Sequence, residues 1–239
     1  MIVLKDKLIV ALDVPSLKEA EKLVKTLSPV VKIFKVGKEL FTSAGPDAIR
    51  MVHSHKAKVF LDLKFHDIPN TVAAACEAAT RLGVFMLNVH SLGGKQMLFS
   101  AVQAVHKTAA ELKQTPPLLL GVTVLTSLVE RDLADIGIKM KLKREVEKLA
   151  LLSRSCGLDG VVASAQEIET IRKAAGKDFV IVTPGVRPVW AAKGDQKRVM
   201  TPSEAIEKGA HFIVVGRPIT HAPDPKAAAK RIFEEMTNL

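Results

Sequence analysis

Leu8-Ile-Val-Ala-Leu-Asp-Val-Pro-Ser16 is an apolar run that ends in an acid and a helix-start signal. Five apolar residues in succession suit a strand buried on both faces. Downstream, Leu17, Ala20, Leu23, Val24 and Leu27 fall on one helical face. Ser16 and Glu19 have the spacing of a capping box. A strand passing straight into a helix is the building unit of a parallel sheet, and the turn between them separates two architectures. An open doubly wound sheet carries a glycine-rich turn after its first strand. Asp13-Val14-Pro15-Ser16 has no glycine, which favours a closed barrel.

Seven further runs of the same kind follow, at 33–37, 59–64, 85–90, 118–125, 160–164, 179–185 and 212–217, with the first at 8–14. Helical patterns lie between them. Ser164 with Glu167 fits a second capping box, and Thr201-Pro202-Ser203-Glu204 and Asp224-Pro225 place proline at a first helical position. Residues 128–156 hold a short helix and a longer one. Strand–helix alternation repeated eight times in 239 residues predicts an α/β chain folded as one (β/α)8 TIM barrel, a single domain over 1–239. The connection of about 186–200, after strand seven, is long enough to be functional and is expected to act as a mobile lid.

Composition narrows the function. Hydrophobic residues at 48% and charged residues at 25% are those of a globular protein. No stretch reaches the roughly 18 apolar residues of a membrane span, and the run at 8–12 is too short for a signal peptide. A soluble, cytoplasmic protein is expected. Cys76 and Cys156 read as free, buried thiols. The net charge of +10 raises nucleic acid as a partner. However, aromatics are only 4%, tyrosine is absent, and the basic residues spread along helices, as in Lys139–Arg144. Stacking platforms for bases are therefore scarce, and a site for an anionic small molecule accounts for the charge.

In such barrels the active site lies at the carboxyl ends of the strands. Those ends offer Asp13, Lys35, Asp62, Lys64, Asn88, His90, Thr123, Thr126, Ser127, Ser164, Thr183, Arg187 and Arg217, with Asp67 just beyond strand three. Side chains alternate along a strand, so Asp62 and Lys64 face the same way. Acids and lysines meeting in one barrel mouth hold one another ionised. The bland alternative is a structural ion-pair network. Val214-Val-Gly-Arg-Pro218 is placed as a phosphate site, where Gly216 exposes a backbone N–H and Arg217 supplies a guanidinium. Gln196 could add a donor. His66 and His90 close strands, His53 and His55 lie on the wrong face, and no group has metal-ligand spacing. Trp190 reads as packing or cover.

Taken in order, these strings resemble orotidine 5′-monophosphate decarboxylase of the bacterial type. The matching pieces are Ala11-Leu-Asp13, Phe34-Lys-Val-Gly37, Asp62-Leu-Lys-Phe-His-Asp-Ile-Pro-Asn-Thr71, Asn88-Val-His90 with Gly93-Gly94, Val122-Thr-Val-Leu-Thr-Ser127, Thr183-Pro-Gly-Val-Arg-Pro188, Gly194-Asp-Gln-Lys-Arg198 and Val215-Gly-Arg-Pro218. The resemblance implies decarboxylation of orotidine 5′-monophosphate to uridine 5′-monophosphate, the last step of UMP synthesis, with no metal or organic cofactor. It implies Lys64 as proton donor, Asp62 against the substrate carboxylate, and Lys35 completing a charge array. Asp67, Ile68 and Thr71 fall in the substrate-binding block, Asp67 and Thr71 reaching the second subunit of a homodimer. Asp13 and Lys35 would hold ribose hydroxyls, Thr126 and Ser127 the base, and Arg187, Gln196, Gly216 and Arg217 the phosphate. Lys38 and Ser91 depart from the pattern. A magnesium-dependent sugar-phosphate decarboxylase or aldolase of the same barrel group is the nearest alternative. It would carry an acid where Lys35 stands, because a cation is no metal ligand.

Overall fold

The computed structural model describes residues 4–191 and 200–237. Eight strands, β1 (Leu8–Ala11), β2 (Ile33–Gly37), β3 (Lys58–Phe65), β4 (Met86–His90), β5 (Leu118–Val122), β6 (Gly160–Val162), β7 (Val180–Thr183) and β8 (Phe212–Val215), pair in chain order. All pairs are parallel, and β8 returns to β1 to close the barrel. Several strands stop short of the apolar runs that announce them. The run at 8–14, for example, pairs only to Ala11, although the Leu12 N–H still reaches the Lys35 carbonyl at 3.0 Å. Its last residues form the loop that carries Asp13.

Period-two alternation builds two apolar layers. Ile9, Ile33, Phe60, Met86, Leu120, Val162, Val182 and Phe212 fill the barrel interior. Their neighbours Leu8, Val10, Phe34, Val59, Leu61 and Leu87 face outward against the helices. Ala20, Val24 and Leu27 of the helix Leu17–Leu27 are fully buried, as the spacing requires. Glycine is needed where β6 meets β7, because a Cβ on Gly160 would lie 2.1 Å from the Val180 carbonyl oxygen. Residues 128–156 divide into the helices Glu130–Asp135 and Leu142–Ser155.

Of the capping boxes at Ser16, Ser164 and Thr201, only that at Thr201 is complete; at Ser16 the Glu19 carboxylate meets the hydroxyl and not the backbone N–H. Thr201 and Glu204 form a full capping box around Pro202, and Asp224 accepts the Ala227 N–H at 3.0 Å. The Ser16 hydroxyl accepts the Glu19 N–H at 3.3 Å and donates to the Glu19 carboxylate at 3.0 Å. The box expected at Ser164 and Glu167 is not formed. Ala165–Glu167 is a 3-10 turn, whose tighter winding presents the Gln166 N–H to the Ser164 hydroxyl instead. Cys76 and Cys156 are free and buried, and burial pushes the Cys76 thiol up to about 12. Among the described residues no helix is long and apolar enough to cross a membrane.

A single arginine ties the amino-terminal ends of β7 and β8 together. Arg172, on the helix Ile168–Ala175, donates to the carbonyls of Gly176, Lys177, Phe179 and Gly209. It also pairs with Nδ1 of His211, which in turn accepts the Ile181 N–H at 3.3 Å. Burial first, then the Arg172 charge, pushes His211 down to about 4. Its folded state therefore stays neutral where an unfolded histidine has begun to protonate, near 6.5. Stability from this neutral acceptor is fully present above pH 6.5 and is lost as pH falls toward 4. Urea midpoints measured from pH 7 to 4 should fall less steeply in His211→Gln, which keeps an acceptor but cannot titrate. An unchanged slope would remove His211 from that role.

Candidate active site

The carboxyl-terminal layer of the barrel interior is polar because each of three strands places its inward residue two positions beyond an apolar one. Lys35 follows Ile33, Asp62 follows Phe60, and Asn88 follows Met86. The Asp62 carboxylate is the centre of the group. Its Oδ1 accepts from Lys64 Nζ at 2.6 Å and from Asn88 Nδ2 at 2.7 Å, and its Oδ2 lies 3.5 Å from Lys35 Nζ. Lys35 Nζ also donates to Asp13 at 2.8 Å. The array thus runs Asp13, Lys35, Asp62, Lys64, alternating in sign. The Lys35 and Asp62 side chains are only 11% and 12% exposed, whereas Asp13 is 57% exposed. Burial alone would raise the Asp62 carboxyl, but Lys35 and Lys64, then the hydrogen bonds from Lys64 and Asn88, hold it below the usual range.

Lys64 does not sit on a regular strand. Its φ is +55°, a left-handed conformation unusual for a residue with a side chain. The β3–β4 register slips at the same place, from Leu61 opposite Leu87 to Phe65 opposite Val89. Asn88 holds this bulge. Its Oδ1 accepts the Lys64 backbone N–H at 2.8 Å while its Nδ2 donates to Asp62. Asn88 is fully buried, so one amide fixes both the strained backbone of Lys64 and the orientation of its carboxylate partner. The sequence lists Asn88 as a strand end; its bridging role depends on the bulge, which no local pattern announces.

Two cavities meet at the array. One is lined by Lys35, Asp62 and Lys64 and walled by Phe60, Val122, Val124, Leu125, Thr126 and Val162. The other runs from Asp13, Lys35 and Asp62 to Gly216, Arg217 and the buried Arg187. A charged centre therefore has an apolar chamber on one side and two guanidinium-bearing residues on the other. Thr126 lines the first chamber, while Ser127 is exposed and lines neither. Asp67, Ile68 and Thr71 are exposed on the rim beyond β3, outside both cavities, and Asp67 accepts the Ile68 N–H at 2.6 Å. Gln196 and much of the expected 186–200 lid lie outside the described residues.

The two strand-end histidines meet each other, with ring centroids 5.3 Å apart. Burial first, then the charges of His66, Lys64 and Lys38, pushes His90 down to about 4, so near neutral pH it adds no positive charge beside Lys64. Among the described residues no three His, Cys, Asp or Glu side chains gather as a metal-ligand set. Of the two departures noted above, Lys38 is exposed. Ser91 is buried and shares a 2.8 Å hydrogen bond with Ser153, over Gly121, where a Cβ would strike both hydroxyls.

Fold and charge array together define a (β/α)8 enzyme built for an anionic substrate. The chain belongs to the orotidine 5′-phosphate decarboxylase / HUMPS family, whose model matches residues 6–232. It is 58% identical to the orotidine 5′-phosphate decarboxylase of Moorella thermoacetica, covering 97% of this chain and 92% of that one. It is 55% identical to the protein of that name from Syntrophotalea carbinolica, with coverages of 97% and 95%. The crystal structure of orotidine 5′-phosphate decarboxylase from Lactobacillus acidophilus superposes with a TM-score of 0.85 at 38% identity, covering 97% of this chain and 99% of that one.

The electrostatics of Asp62 are open to direct measurement. Carbon-13 NMR titration should find its carboxyl titrating below the ordinary aspartate value of 3.8. Lys35→Met should move that titration upward, because burial then faces one ammonium fewer. Asn88→Leu should leave the Lys64 N–H unpaired and cost about 2–4 kcal/mol in urea unfolding, the range for a buried donor and a charge-assisted bond lost together.

Proposed function

We propose that the Asp13–Lys35–Asp62–Lys64 array is where orotidine 5′-monophosphate loses its carboxylate as carbon dioxide, giving uridine 5′-monophosphate. This reaction is the last step of de novo UMP synthesis, and the chain is a carboxy-lyase of the family to which it belongs. The observation that carries the reading is Lys35, an ammonium 3.5 Å from Asp62. The magnesium-dependent alternative requires an oxygen ligand at that position, and an ammonium cannot supply one.

The chemistry follows from the charges. When the carbon–carbon bond breaks heterolytically, its electron pair stays on the pyrimidine carbon. A fixed ammonium next to that carbon stabilises the developing charge without solvent reorganisation, and Lys64 then gives it a proton. Asp62 orients Lys64 through a 2.6 Å contact; a carboxylate beside the substrate carboxylate also disfavours the ground state. The chamber with Thr126 suits the pyrimidine. Asp13 and Lys35 suit the ribose hydroxyls. Gly216, Arg217 and Arg187, with Gln196, suit the phosphate, whose binding energy positions the ring from a distance.

The reading includes a cytoplasmic homodimer. Asp67, Ile68 and Thr71 are exposed on the rim and stand apart from their own chain's cavities. Ile68 is 66% exposed on that rim. A second copy would bury it and carry Asp67 and Thr71 to the neighbouring array.

Ultraviolet absorbance of orotidine 5′-monophosphate should fall on addition of the enzyme, equally with and without EDTA. Turnover abolished by EDTA would overturn the cofactor-free reading. Lys64→Ala should fold normally and lose turnover. Mixing inactive Lys64→Ala with inactive Asp67→Asn should restore about a quarter of the activity, since half the dimers are mixed and each has one intact site in two. No recovery would place Asp67 in its own chain's site.

A further inference from the structure

Arg187 stands at the start of the connection after β7, and its backbone N–H donates to the Met200 carbonyl at 3.0 Å. A turn follows, closed by the Ala191 N–H on the Pro188 carbonyl at 3.0 Å. Val189, at its outer corner, is 78% exposed. Trp190, at its inner corner, packs partly buried against the core and shares a cavity wall with Arg187 and Arg217.

The far end of the chain grips this turn. On the helix Pro225–Thr237, the Arg231 guanidinium lies over the Trp190 ring, 4.9 Å from its centroid. One helical turn further along, Glu235 accepts the Val189 backbone N–H. Trp190 Nε1 and Glu235 Oε1 are both buried and, among the described residues, without a hydrogen-bond partner. The helix itself is anchored by Ala229, Ile232 and Met236, all fully buried.

Arg187, Trp190 and Arg217 line one cavity. A grip three residues beyond Arg187, on a hydrogen-bonded turn, restrains where Arg187 stands in it. We propose that Arg231 and Glu235 act through Trp190 as positioning residues that preorganise the Arg187–Arg217 anion site. The proposal rests on the reading of that site as the phosphate end of the substrate cavity.

Trp190 is the only tryptophan and tyrosine is absent, so the emission of the protein reports the surroundings of this ring. In the full-length protein, the double variant Arg231→Ala/Glu235→Ala should shift that emission to the red. Its KM for orotidine 5′-monophosphate should rise about tenfold with kcat within about twofold, the pattern of lost uniform binding. Arg231→Lys, which keeps a cation over the ring, should stay near the unmodified enzyme, and thermal unfolding would establish that the variants fold. Emission that does not move, or a red shift with KM unchanged, overturns the proposal. Arg217→Ala separates the two readings. If it raises KM while the double variant does not, only the positioning role fails. If it too leaves KM unchanged, the phosphate reading fails and the positioning role with it.

Discussion

Asp62 is a carboxylate taken out of water and kept charged. Burial opposes that state, and two ammonium groups and a carboxamide sustain it. Such arrangements are poor investments in stability, because desolvating several ions consumes most of what their attraction returns. Their value lies in preorganisation. Charges fixed before the substrate arrives need not be reorganised while the reaction proceeds. Each other feature of the mouth serves this one anion, from the slipped register of β3 to the left-handed Lys64 and the doubly bonded Asn88.

The barrel makes the arrangement possible by separating its two ends. Alternation along each strand sends every second side chain inward, so an apolar layer at mid-barrel is followed two residues later by a polar one. Ile33, Phe60 and Met86 are the floor on which Lys35, Asp62 and Asn88 stand. The opposite end carries structural devices of another kind. Arg172 gathers four carbonyls and one imidazole there, a staple between β7 and β8 distant from the chemistry. Charge lines a cavity at one end and ties strands together at the other.

The cavity joins unlike regions. An apolar chamber with Thr126 lies on one side of the array, and Arg187, Gly216 and Arg217 lie on the other. A substrate with a flat ring at one end and a phosphate at the other matches that division. Its remote charge can then contribute binding energy spent on orientation at the reacting carbon.

The strand number, the parallel sheet and the choice of a barrel were all legible in the chain, because buried parallel strands are continuous apolar runs and the first turn has no glycine. So was the placing of Lys35 and Asp62 at strand ends, whereas Lys64 reaches Asp62 from a bulge that breaks the period of two. Other features needed the folded molecule. The Ser164–Glu167 spacing fits a capping box, yet a 3-10 turn forms there. Thr126 and Ser127 are equivalent in the chain, but only Thr126 faces the cavity. Asn88 gains its bridge from a bulge between two strands, and Trp190 meets Arg231 across 41 positions of sequence. Local pattern encodes which way a side chain faces within its own element. Which groups then meet is set by closure and register of the whole barrel, and these arise only when distant segments pack.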